Sequence, residues 1–463
     1  MTEVAIIGGG LAGISAAVAL GEAGARVRLF EARPRLGGAT HSFVREGLTV
    51  DNGQHVFLKC CTAYQELLRR MGVADQVTVQ DRFDVPVLAP DGRTTRLRRT
   101  NTPGPTHFGP ALARYPLLPL RDRLGTARAA LAMMRLDPAD PALDRQALGA
   151  WLSAHGQGER AQQALWDLFV VSGLNVRTKD ASLGLAAKLI KTGLLGARDA
   201  ADIGVPSVPL GELHGEAAAK TLAGLGADVR TRAKVTAIER RDGGGFRVLA
   251  DGERHPADAV ILAVPHPAAA ALVPRAAVPE AGEWAGLGAA PIVNVHVIYD
   301  RTVMPHPYAA AVDSPVQWVF DRTRIAGLRS GAHGDGQYLA VSVSAAEAYI
   351  DRRVADLREV FLPALGRLFP VARAASVRDF FVTRERTATF CQAPGTRALR
   401  PQAATRMPGL YIAGAWTDTG WPDTMEGAVR SGLQAARLVR RLAPSTTRPR
   451  GEQAVRAGAV ARP

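Results

Sequence analysis

Cysteine is scarce in this chain: Cys60, Cys61 and Cys391 are the only three in 463 residues. That supports no disulfide framework, and vicinal Cys60 and Cys61 are poorly placed to bridge, so a reducing cytosol fits. No uncharged apolar run reaches the roughly 18 residues that a membrane-spanning helix needs. The longest, 259–273, is interrupted by Pro265, His266 and Pro267. A secretory leader is not expected, because a strand-like run begins at residue 4. Lysine is rare, with only six among 57 basic residues, and net charge is +14. From Arg437 onward seven arginines face one glutamate, +6 of that +14, and the low-complexity tail at 444–463 is expected to be disordered. The remaining excess reads as solvated surface, or as attraction to an anionic membrane face. No basic stripe is interleaved with aromatics, so a nucleic-acid partner is not expected.

What is present is ordinary globular material, 47% hydrophobic and 22% charged, in a chain longer than one core usually serves. Two packed domains are expected. The first 40 residues read as strand, glycine turn, helix (11–23), strand and second glycine turn. Residues 102–110 (TPGPTHFGP) mark a loop and 111–195 a helical block. Strand-like runs follow at 235–238, 246–249, 259–264, 293–299, 317–320 and 338–344, then a helix at 345–368, a strand at 407–413 and a helix at 424–441. Nucleotide-type segments thus sit at both ends with other blocks between them. The fold class expected is α/β, with a discontinuous Rossmann-type nucleotide-binding domain (1–65, 203–270 and 395–443). An α+β substrate domain of mixed sheet and helices (66–202 and 271–394) is inserted into it.

Gly8, Gly10 and Gly13 form G-x-G-x-x-G between the first strand and the first helix. The first glycine permits a tight turn, the second lets backbone approach a pyrophosphate, and the third lets helix pack on strand. Backbone N–H groups at Leu11 and Ala12, with the positive helix end, then hold phosphate. Glu31 closes the next strand 18 residues after Gly13, where a carboxylate accepts the ribose hydroxyls of an adenosine. A solvated strand-end acid is the plain alternative, and spacing plus flanking strands argue against it.

A second glycine turn, Arg33-Pro34-Arg35-Leu36-Gly37-Gly38, follows at once, and Gly409-Leu410-Tyr411-Ile412-Ala413-Gly414-Ala415-Trp416-Thr417-Asp418 lies near the C-terminus. Both resemble segments of the FAD-dependent amine oxidase and carotenoid desaturase superfamily. That resemblance implies non-covalent FAD held by Ala32, Arg33, Gly37, Gly38, Ala39, Thr40, Gly53, Gln54, Val235, Gly414 and Asp418 besides the first motif. It also implies that Thr424, Met425 and Ala428 open a helix whose backbone N–H groups reach the flavin pyrimidine. Gly37-Gly38-Ala39-Thr40-His41-Ser42, Asp51-Asn52-Gly53-Gln54-His55-Val56, residues 205–213 (VPSVPLGEL), Ser314-Pro315-Val316-Gln317-Trp318 and Trp416-Thr417-Asp418-Thr419-Gly420-Trp421-Pro422 together resemble the hydroxysqualene dehydroxylases of bacterial hopanoid biosynthesis.

The resemblance implies a C30 isoprenoid substrate whose allylic hydroxyl leaves as water and is replaced by hydride from reduced flavin. Such a site needs an acid and a dry apolar wall. His55, Asp51 and His41 are the candidate acids, with structural hydrogen bonding as the alternative for Asp51. Trp318, Trp416 and Trp421 are candidate pocket walls, with core packing as the alternative. Asn294 and His296 alternate with Val293, Val295 and Val297, so they face one side, and read as satisfied interior or surface polar groups rather than pocket residues. No lysine occurs in 284–320, where amine oxidases of the superfamily usually carry one, which disfavours an amine substrate. No second dinucleotide fingerprint and no metal-ligand pattern appear, so the electron donor stays open. Segments 117–124 and 186–195 combine apolar faces with cationic edges, as a peripheral contact at the inner face of the cell membrane would require. The rival readings are a carotenoid-type desaturase, running the flavin in the opposite redox sense, and a non-catalytic prenyl-lipid carrier.

Overall fold

The computed structural model describes residues 1–328 and 335–442. The expected tail therefore lies outside the described residues. Strand Glu3–Ile7 is apolar from Val4 onward and sits in the middle of a five-stranded parallel sheet, where both faces are covered. Its neighbours are Arg26–Glu31 and Ala259–Leu262; Asp228–Thr231 and Leu410–Ile412 form the edges. Ile7 pairs with Phe30 and Leu262, so the strand ends that carry the glycine turn, Glu31 and Ala263 emerge at one edge of the sheet.

The two terminal helices, Leu11–Glu22 and Met425–Leu442, pack on each other through small residues. A Cβ on Gly432 would stand 2.0 Å from the Ala12 carbonyl oxygen, and the Ser15 hydroxyl donates to the Val429 carbonyl at 3.1 Å. Glu426, buried on the last helix, accepts from the N–H groups of Ala63 (3.1 Å) and Tyr64 (2.8 Å) and so caps helix Thr62–Arg70 from outside.

A second, seven-stranded mixed sheet runs in the order Val377–Thr389, Ala290–Tyr299, Gln337–Ser344, Trp318–Asp321, Tyr308–Ala311, Asp84–Leu88, Thr94–Arg98. All its pairs are antiparallel except Tyr308–Ala311 with Asp84–Leu88. Helix Val354–Leu368 covers one face through Leu357, Phe361 and Leu365. The expected helix at 345–368 starts this late because Ala345 takes a left-handed φ of 49° and turns the chain after the strand. The strands at Asp84–Leu88 and Thr94–Arg98 were not anticipated: Pro86 interrupts the alternation that would mark the first. Hairpin Ser42–Arg45 with Leu48–Asp51 leads into the segment 51–56, of which Asp51, Asn52 and Gly53 are buried.

Candidate functional site

The two glycine turns meet. Gly8 has φ 106°, and a Cβ there would fall 2.3 Å from the Ala263 carbonyl oxygen; at Gly13 a Cβ would fall 1.9 Å from the Gly8 carbonyl oxygen. From the second turn Gly37 donates its N–H to the Gly9 carbonyl at 2.8 Å, and Gly38, with φ 59°, would put a Cβ 2.8 Å from Gly10 Cα. Gly10 caps helix Leu11–Glu22 without any side-chain acceptor, so the first N–H groups, Leu11 and Ala12 among them, are left for an anion. Thr40 closes the second turn by donating its hydroxyl to the Gly37 carbonyl at 2.8 Å, while Ala39 is exposed.

Glu31 lies between the turns and is 8% exposed; its carboxylate accepts from the N–H groups of Gly9 (2.7 Å) and Arg33 (2.8 Å). Ala32 and Arg33 are exposed at the sheet edge. The chain at Arg232 and Ala233 is tied to the carbonyls of Arg33 and Glu31, which brings buried Val235 beside this edge. A side-chain-free cradle, uncapped helix donors and an acid held at the strand end together fit the diphosphate and ribose of a dinucleotide.

The segment Asp51 to His55 is held by many bonds. Asp51 accepts from the Ser42 hydroxyl (2.6 Å) and the Leu210 N–H (2.9 Å) and is ion-paired with buried Arg322. With both oxygens engaged it has no free atom for a substrate, which corrects the expectation of Asp51 as proton donor. Asn52 donates from its amide to the Ala39 carbonyl and to Glu385, and its carbonyl accepts from Asn294 and Thr383, both at 3.1 Å. Strands Ala290–Tyr299 and Val377–Thr389 of the mixed sheet thereby grip the loop. Asn294 and His296 are fully buried, and His296 is satisfied on both nitrogens by Tyr338 (2.7 Å) and Thr383 (3.0 Å).

Three polar atoms of this region are buried without partners: His55 Nδ1 and Asn294 Oδ1, whose side chains flank Gly53, and His41 Nδ1, on a residue whose backbone pairs with Asn52. The His55 ring and the Asn294 amide both lie within 3.6 Å of where a Gly53 Cβ would stand. Gln54 is half-buried beside them. Orphaned polar atoms at a glycine are what a heteroaromatic ring such as flavin would satisfy. Burial pushes His55 below the usual imidazole range despite Asp51, and burial with Arg35 and Arg33 pushes His41 down to about 4. Burial thus disfavours the charged form of both rings.

The C-terminal motif places its residues differently from expectation. Gly414 takes φ 146° and its N–H donates to Ser431 on the last helix at 2.8 Å. Buried Arg400 then gathers the loop by donating to the carbonyls of Ala415, Trp416, Thr417 and Trp421. Trp416 is packed in the core, donating to the Val264 carbonyl at 2.9 Å and edge-on to Trp284, so it is not a pocket wall. Trp421 is flanked by the cations of Lys188 and Arg430, each 4.9 Å from the ring centre. Asp418 turns to Gln402 (3.3 Å) and Arg397 (3.7 Å) and lines a hollow of about 220 Å³ with Lys188 and Asp137; its contacts involve neither glycine turn.

Thr424 caps the last helix, accepting from the Gly427 N–H at 3.2 Å. The Ala428 N–H is spent on the Thr424 carbonyl at 2.9 Å, which corrects its expected role; Met425 and Glu426 keep the free donors of the first turn. Just before this helix stands a residue that sequence reading missed. Asp423 accepts from the Phe390 N–H (2.9 Å) through one oxygen, and its own N–H is fixed by Gln392 (2.9 Å). Burial pushes its carboxyl up to about 6, against the Phe390 N–H and Arg400. Its other oxygen is unengaged. An acid one residue from the cap of a flavin-type helix was a visible signal. Trp318 lies apart, in a cleft of about 390 Å³ between Glu159–Lys179 of the helical block and Ala311–Gln317 of the mixed sheet.

Residues 11–440 match the flavin containing amine oxidoreductase family. The chain is similar to a hydroxysqualene dehydroxylase of Rhodopseudomonas palustris (30% identity over 94% of this chain and 98% of that one). A second, from Sinorhizobium fredii, shares 30% over the same proportions. A probable zeta-carotene desaturase of Synechococcus elongatus shares 23% over 94% and 98% of the two chains. Among solved structures, a putrescine oxidase variant superposes with TM-score 0.69 at 22% identity, covering 95% of this chain and 99% of that one, a likeness of fold.

Proposed function

The chain belongs to the flavin containing amine oxidoreductase family and, within it, to the hydroxysqualene dehydroxylases, and on that premise we propose that it converts hydroxysqualene reductively to squalene. It is an FAD-dependent oxidoreductase. The observation that carries the reaction is whole-length similarity to those dehydroxylases together with a half-buried acid at the mouth of the last helix, its carboxyl pushed up to about 6 by desolvation. Bound FAD in its reduced form supplies the hydride that replaces the hydroxyl.

The protein's part is to place, to dry and to protonate. Gly8 to Gly13, Gly37, Gly38 and Glu31 would hold the dinucleotide, Met425 and Glu426 would offer it backbone N–H groups, and His55, His41 and Asn294 would supply polar atoms that otherwise lack partners. Asp423 donates its proton from the unengaged oxygen to the allylic hydroxyl, so that water departs and the carbocation left behind takes the hydride. An acid with a pKa near working pH is suited to that step, and positioned proton transfer is worth about 10²–10⁴ in rate. Holding the carbocation away from water is the task of the apolar walls.

The test is anaerobic: enzyme with photoreduced flavin and hydroxysqualene, with product analysis. Squalene formed in one turnover per flavin is expected, and D423N should cut the rate by about 100-fold or more with flavin still bound. Unreacted hydroxysqualene, with oxidised enzyme instead desaturating a phytoene-like polyene, would transfer the chain to the desaturase reading that the Synechococcus relative favours.

A further inference from the structure

Helix Leu120–Met134 wears its large apolar residues on the wrong side for a water-facing element. Leu120, Leu124, Leu131 and Met134 are 65%, 54%, 56% and 40% exposed, whereas the buried face is Gly125, Thr126, Ala129 and Met133. At 100° per residue the four exposed side chains share one stripe about 80° wide. Scattered single leucines on a surface need no explanation, but four on one helix face form a patch that does.

The helix cannot roll to hide them. A Cβ on Gly125 would fall 2.5 Å from the Gln157 side-chain nitrogen, and the Thr126 hydroxyl donates to Gln157 at 2.8 Å. Gln157 is itself fully buried and held by Trp166 at 2.9 Å. Lys191 further ties the far end by donating to the Leu136 carbonyl. The second segment expected at a membrane, 186–195, lies under this helix: Ala186, Ala187 and Ile190 are buried. It supports the surface and is not part of it.

Charge identifies what the stripe fits. Arg121, Arg128 and Arg135, seven residues apart, are exposed along one flank, and Arg114 is exposed just before the helix. Asp122 is turned inward, with its side chain 14% exposed, and no other acid occurs in 114–135. A cationic ridge beside an apolar stripe complements anionic headgroups over acyl chains, not a like-charged second copy of the same face.

We propose that the outer face of helix Leu120–Met134 seats the protein in the interface of an anionic lipid bilayer, with the leucines in the acyl boundary and the arginines at the phosphates. This stands apart from the reaction assigned above and holds for any substrate.

The full chain with bound flavin is to be sedimented with vesicles of phosphatidylcholine containing one quarter phosphatidylglycerol, and with phosphatidylcholine alone, at low salt. Binding to the anionic vesicles is expected, at least tenfold weaker for L124E/L131E and for R121Q/R128Q/R135Q, with flavin absorbance and turnover on detergent-dispersed substrate unchanged. The arginine-rich segment after 442 is present in every chain compared, so loss of binding tracks the helix. Wild type left in the supernatant, or variants that sediment equally while retaining flavin, would overturn the proposal. So would a concentration-dependent dimer that L124E/L131E abolishes, since a second copy would then be the occupant.

Discussion

Replacing Asp51 by Asn changes the charge of this side chain and little of its shape. The Asn oxygen can still accept from Ser42 and from the Leu210 N–H, so the bonds at 2.6 and 2.9 Å survive and the ion pair with Arg322 does not. Arg322 is only 6% exposed, and leaving a buried guanidinium without its counter-charge costs about 3–5 kcal/mol. D51N should therefore lower the urea midpoint strongly and shed flavin, because the Asn52 clamp hangs from the same turn. The double variant D51N/R322M removes both charges; what remains is an Asn amide without its acceptor, about 1–3 kcal/mol. About half of the lost stability should return, flavin should rebind, and turnover should return with it. The measurements are urea unfolding and turnover, each at equal flavin occupancy. A double variant that is stable and fully flavinated yet inactive would refute the structural account and restore Asp51 to the chemistry. A D51N chain as stable as wild type would refute the value placed on the pair.

G38A places a methyl 2.8 Å from Gly10 Cα in a backbone with φ 59°; strain of about 1–3 kcal/mol should weaken FAD binding by roughly 5- to 150-fold, read by flavin titration of the apoprotein. E426A removes the acceptor for two N–H groups of helix Thr62–Arg70 and should cost about 1–2 kcal/mol in urea unfolding, without abolishing turnover in the folded fraction. Asp423 has a folded pKa of about 6 against 3.8 for a free carboxyl, so the folded chain holds a proton that the unfolded chain has released. Its favourable contribution is complete below pH 3.8 and lost as pH rises through about 6, and that slope should vanish in D423N. Turnover should likewise fall on the alkaline side of about pH 6 in wild type and in H55N, which keeps the acid, and a profile unchanged in D423N would assign the proton elsewhere.

How far the sequence could be read follows from how local each signal is. The glycine pattern and Glu31 encode contacts within 31 residues, and the fold class they imply is the one observed: Gly13 against Gly8, and Glu31 against Gly9, are neighbours in chain and in space. Strand alternation placed Asn294 and His296 on one face but left open whether that face was interior or surface; both are buried, and only His296 is satisfied as expected, since Asn294 Oδ1 has no partner. Asp51 looked like an acid because its partner, Arg322, lies 271 residues away in a loop with no pattern of its own. Trp416 looked like a wall because nothing local records that Val264, a strand away, takes its indole N–H. Ala428 was misassigned for a smaller reason: a capping threonine shifts the free donors to the first turn, and the cap was read as a ligand.

The same distinction locates the proton. An acid that must protonate a neutral alcohol at working pH has to be desolvated without being paired, because a counter-charge keeps a carboxylate from holding a proton. Asp51 is desolvated and paired. Asp418 faces Arg397 and Gln402. Asp423 alone among these three accepts one backbone N–H, faces no direct cation and keeps an oxygen free. Arg400, the positive group acting on it, gives Nε and one terminal nitrogen to four loop carbonyls and so fixes the wall beside Asp423 without ion-pairing it, while its other terminal nitrogen, Nη1, is buried without a partner. Substituting Arg400 by Lys should thus loosen the Trp421 loop and, with the distant charge retained, leave the alkaline limb near pH 6 in whatever fraction still binds flavin.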